Sequence, residues 1–141
     1  MRKILNSRNA QVGVEYMIIV GFITFAIMSV IALAFFYSGQ IKDRIKLNQV
    51  EGFATQLVSS AESVFFAGEP SKTTVRLYLP EGVSDISVVS DAIIITTNVG
   101  GGQNKRAFTS RVTLQGAITP EEGIKKLTLE AKLDHVLITQ G

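Results

Sequence analysis

The stretch QVGVEYMIIVGFITFAIMSVIALAFFY, residues 11–37, decides how the rest of the chain is read. From Tyr16 to Tyr37 it runs 22 residues without a charge. A helix rises about 1.5 Å per residue, so that run would be roughly 33 Å long, close to the ~30 Å hydrocarbon core of a bilayer. It can span a membrane. Before it come Arg2, Lys3 and Arg8 and then the small residue Ala10, while one carboxylate, Glu15, stands at its mouth. A basic leader, a small residue, a lone acid and a spanning helix suggest a precursor that is clipped beside the membrane and then assembled through the exposed helix.

Composition narrows the remainder. The chain has 141 residues, and once the leader and span are set aside about 100 remain, enough for one small domain. The basic character is local to the leader: from Gln11 onward eleven Lys and Arg face twelve acids, a formal net charge of −1. No basic footprint for specific nucleic-acid binding is left once the leader is gone. Cysteine is absent, which excludes disulfides and thiolate metal sites, and no Asn-x-Ser/Thr sequon occurs.

Three readings of the N-terminus compete. A plain signal anchor would leave the span in the bilayer; the positive-inside count does not orient it, because Arg2, Lys3 and Arg8 are matched by Lys42, Arg44 and Lys46 beyond the span. A secretory signal peptide would use Ala32-Leu33-Ala34 and begin the mature chain at Phe35, after an apolar region long for that role and opened by an acid. The third reading gives Glu15 a purpose. A carboxylate in an apolar helix costs a few kcal/mol and usually marks function. A cut between Ala10 and Gln11 creates an α-amino group four residues before it. Two unit charges about 4 Å apart attract by about 4 kcal/mol at an effective dielectric of 20, so the amine of one subunit can pair with the carboxylate of a neighbour and fix their axial register.

Ala10 followed by Gln11-Val12-Gly13-Val14-Glu15-Tyr16 resembles the class III signal peptide of archaeal type IV pilins, whose processing motif is Gln-x-Ser-x-Glu followed by Tyr or Phe. Gly13 stands where the family usually has Ser. The resemblance implies a leader, residues 1–10, removed before Gln11 by a prepilin peptidase. It also implies passage through the general secretion translocon, assembly by a pilus ATPase and membrane platform, and a helical filament of identical subunits. Localisation follows the same course: cell membrane as precursor, then an extracellular surface filament.

Beyond the span (residues 11–40) the apolar period stays helical over residues 41–67. Val50, Phe53, Ala54, Leu57, Val58, Ala61, Val64 and Phe65 recur at three- and four-residue steps, with most charges off that face. Gly68 and Pro70 form a stop signal. The helix from Gln11 to Ala67 would be a rod of roughly 85 Å, interrupted by Gly21, Gly39 and Gly52. Residues 70–141 switch to period two. Val75, Leu77 and Leu79 alternate with polar neighbours; Ile86 and Val88 follow, then the run Ile93 to Thr97, a loop from Gly100 to Asn104 and a strand from about Lys105 to Leu114. A closing hairpin carries Leu127, Leu129, Ala131 and Leu133 inward, turns at Asp134-His135 and returns over Val136 to Thr139. The expected fold is α+β, an antiparallel sheet domain wrapped on the amphipathic half of the rod. The resemblance implies the same lollipop shape.

No active site, cofactor or metal is expected. His135 has no His or Cys partner and reads as a solvated turn residue. Gly100-Gly101-Gly102 lacks the Gly-Lys-Ser/Thr ending of a phosphate loop and reads as a hairpin tip. Asp85, Asp91, Glu121 and Glu122 read as solvated acids beside turns, with a surface calcium site as the lesser option. The function expected is the structural subunit of an archaeal type IV pilus-like filament, and the resemblance alone implies that it serves adhesion. The alternatives are a minor pilin-like accessory subunit and a membrane-anchored extracellular binding module that does not polymerise.

Overall fold

A computed structural model describes residues 7–141, with side chains from Val12 onward. The chain divides into two compact units, Met1–Ile41 and Lys42–Gly141. One helix, α1, covers Ser7–Ala67 and supplies all the regular structure among the described residues of the first unit. Seven strands follow: β1 (Lys72–Leu79), β2 (Val83–Val89), β3 (Ala92–Val99), β4 (Gly102–Thr109), β5 (Leu114–Gly116), β6 (Gly123–Ala131) and β7 (Val136–Gln140). The fold is α+β, a long N-terminal apolar helix followed by mostly antiparallel strands.

In the second unit the helical stripe is buried where its period requires. Val50, Phe53, Ala54, Leu57, Val58, Ala61 and Val64 join one core with Leu77, Leu79, Ile93, Ile95, Leu127, Leu129 and Ile138. Phe65 is only partly buried against it. The helix ends at Ala67, where Gly68 N–H donates to the Phe65 carbonyl at 3.0 Å and the chain turns toward β1. Alternation then decides the faces of β1 and β6, whose odd-numbered residues from Leu77 and from Lys125 point inward.

The strands form two sheets rather than one. A four-stranded sheet has the order β1-β6-β7-β5, and a three-stranded sheet has the order β2-β3-β4. They adjoin at β5 and β2, where Leu114 N–H donates to the Ser90 carbonyl at 2.8 Å. The expected strand from Lys105 to Leu114 is two elements. β4 stops at Thr109 because the Ser110 hydroxyl binds the backbone of Val112 in a local turn, and a buried Val112 redirects the chain. β5 then pairs parallel with β7, so the domain is not purely antiparallel. The loop expected from Gly100 to Asn104 is shorter too. Gly100 and Gly101 make a two-residue turn with φ of 60° and 78°, which lets Val99 pair with Gly102 and adds residues 102–104 to β4. Leu133, expected inward, is 88% exposed, because β6 ends at Ala131 and the hairpin loop begins before it.

Candidate functional site

Within the first unit α1 is bare. Val12, Val14, Tyr16 and Met17 are all more than half exposed, and so are Phe22, Phe25, Leu33, Phe35 and Phe36 along the apolar run. Two of its hydroxyls bond within it: Thr24 donates to the Val20 carbonyl and Ser29 to the Phe25 carbonyl, each at 2.8 Å. Bonding one turn back satisfies a hydroxyl inside the helix itself, as a hydrocarbon surrounding demands. Glu15 has no such recourse. It is exposed, and among the described residues no cation lies within ion-pair distance of it.

Of the predicted processing residues, Gly13, Glu15 and Tyr16 lie on α1 with their surroundings open. Ala10 and Gln11 are described as helical backbone only, and of the leader expected at residues 1–10 the first six lie outside the described residues. Gln11 and Glu15 are four apart on one helix, hence on one face and about 6 Å apart along the axis. Nothing stands within 4 Å of where a Cβ would sit at Gly13, Gly21 or Gly39, so the chain's own packing does not ask for glycine at any of them.

Comparison with family models, curated proteins and solved structures found no match.

In the second unit the ionisable groups are mostly spoken for at the surface. Lys46 binds Glu81 at 2.7 Å and Arg106 binds Glu51 at 2.9 Å, tying α1 to the β1–β2 turn and to β4. The Lys46 hydrogen bond holds the Glu81 carboxyl below the usual carboxylate range and raises Lys46 in turn. Lys132 does the same to Glu130, and the His135 ring lowers Asp134. His135 is thus engaged by its neighbour on the hairpin loop, with a fifth of its side chain exposed. Asp85 accepts from the Ser87 hydroxyl. Among the described residues no three His, Cys, Asp or Glu side chains converge. A groove of about 470 Å³ between α1 and β1 is open to solvent and lined by Ser59, Ser63, Ser71 and Thr73, with Lys72 its one charged residue.

Sequence reasoning missed Lys125. It is 6% exposed on the inward face of β6, where its Nζ donates to the Thr119 hydroxyl at 3.0 Å and lies 3.9 Å from Glu121. Thr119 in turn bonds the Gln140 side chain, so the cation secures the segment before β6 to the end of β7. The signal was present: Lys125 has the same parity as Leu127 and Leu129.

Proposed function

We propose that this chain is the structural subunit of an archaeal type IV pilus-like surface filament, held in the cell membrane as a precursor, cleaved before Gln11 and polymerised through its N-terminal helix for adhesion. The observation that carries the reading is Glu15, the one acid at the mouth of the uncharged run Tyr16–Tyr37, where Thr24 and Ser29 are satisfied within the helix and the large apolar side chains are uncovered. In lipid, bundling such helices gains little hydrophobic free energy, so close packing and specific polar pairing must select the register. Cleavage before Gln11 supplies the missing cation. The amine of one subunit then meets the carboxylate of the next, and the span glycines are free to admit a neighbouring backbone. The pilin resemblance adds the lollipop form, prepilin peptidase and the assembly machinery to this proposal.

The test is Glu15→Gln, which keeps the shape of the side chain and removes its charge. Losing an attraction on the order of 4 kcal/mol per contact weakens association by close to three orders of magnitude. Surface filaments counted by electron microscopy should disappear from cells expressing only the variant, while mature-length protein, starting at Gln11 by mass, stays in the membrane. Normal filament numbers would refute the pairing. A retained Met1 in the wild type would replace the filament subunit with a plain anchored module.

A further inference from the structure

The outer face of the four-stranded sheet carries a charge pattern that the fold does not balance. Along β1 and β6 the outward residues pair in register: Lys72 with Glu130, Thr74 with Thr128, Arg76 with Lys126, Tyr78 with Ile124. β7 extends two of these rows, placing Leu137 beside Glu130 and Thr139 beside Thr128. The Thr74 and Thr128 hydroxyls are 3.2 Å apart, which confirms the shared face. Its one acid, Glu130, is engaged by both Lys72 and Lys132. Arg76 and Lys126 face each other with no acid within ion-pair distance among the described residues. Next to them Tyr78 and Ile124 are 54% and 74% exposed.

Like charges directly opposite on neighbouring strands destabilise a sheet, and no ion pair among the described residues compensates this one. Four cations against one acid also concentrate positive charge on one face of a chain whose balance from Gln11 onward is −1. The face is elongated: six residues separate the Lys72 and Tyr78 rows, about 20 Å along the strands, against about 10 Å across three of them. We infer that the outer face of β1, β6 and β7 binds a carboxylated polysaccharide lying along the strands. The planar fork of Arg76 matches a carboxylate in bidentate fashion and Lys126 adds a second point of charge. The Thr74, Thr128 and Thr139 hydroxyls both donate and accept, as sugar hydroxyls do. Tyr78 and Ile124 offer a flat apolar end for the C–H faces of sugar rings. A single aromatic and so few cations suit this ligand better than a nucleic acid, which calls for a larger basic footprint and repeated stacking platforms.

The inference deepens the adhesive role and rests on that reading for its biological place, but its test uses single chains and so fails or succeeds apart from filament assembly. The full chain in non-ionic detergent is passed over immobilised alginate, a polyuronate, with neutral dextran, anionic phospholipid vesicles and duplex DNA alongside. Wild type should prefer alginate and release it as salt rises. The double variant Arg76→Thr, Lys126→Thr should bind at least tenfold more weakly while its unfolding midpoint stays level or rises, since a repulsion is removed. Tyr78→Ala should weaken binding several-fold, and Lys105→Thr, on the three-stranded sheet, should not. The inference is overturned by wild type that ignores alginate or binds dextran, vesicles or DNA as well. It is equally overturned by a double variant that binds as wild type or melts lower, by a Tyr78→Ala variant that binds as wild type, or by an equal loss in Lys105→Thr.

Discussion

Replacing Gly116 with alanine should damage the β-domain more than any other single methyl group added to a glycine turn or strand described above. Gly116 sits at the end of β5 with φ of 138°, in register with Ile138 of β7. A Cβ there would stand 2.2 Å from the Ile138 carbonyl oxygen and 3.0 Å from its carbonyl carbon. Those are backbone atoms of the strand that β5 pairs with, so neither can yield without disturbing the ladder. A side chain in a sparsely populated backbone region costs about 1–3 kcal/mol, and overpacking adds about 1–3 more. The sum, roughly 2–6 kcal/mol, is a large share of the 5–15 kcal/mol typical of a domain. At about 4–8 °C per kcal/mol for a domain of some 100 residues, the midpoint should fall by about 8 °C or more. Gly101→Ala isolates the conformational part, because Gly101 also has positive φ, 78°, but nothing within 4 Å of its Cβ position. Thermal unfolding of both variants in detergent, followed by the β signal in circular dichroism, compares them. A loss at Gly116 no greater than at Gly101 would refute the backbone-contact argument.

Leu57→Ala, at a position with no exposure, should cost about 2–5 kcal/mol, whereas Phe22→Ala in the span should leave the same unfolding transition unmoved; an equal loss in both would contradict the two-unit division. Lys125→Met should hold stability within about 1.5 kcal/mol because the stem is replaced, while Lys125→Ala should cost about 2 kcal/mol through lost packing; urea midpoints of the two variants separate stem from charge. Glu81, Glu130 and Asp134 are all depressed, so the stability they add is present above the usual carboxylate range and is lost as pH falls through their folded values. The melting temperature should therefore decline below about pH 4, and Glu81→Gln should make that decline shallower. A melting temperature that rose on acidification would refute the sign.

Much of the architecture could be read locally. The uncharged run from Tyr16 to Tyr37, the stripe from Val50 to Val64 and the alternation in β1 and β6 each repeat with the period of the backbone that carries them. Glu15 was legible for a related reason, since a charge among apolar residues is costly wherever the helix lies. What escaped the sequence depends on residues far apart meeting. The parallel pairing of β5 depends on β7 lying beside it, and the burial of Lys125 on Thr119 and Gln140 meeting near its amine. Arg76 and Lys126 are 50 positions apart, and only the register of β1 on β6 sets them face to face. Periodicity reports which side of its own element a residue occupies; which element lies across from it is decided by packing, because one-residue differences in register exchange whole faces.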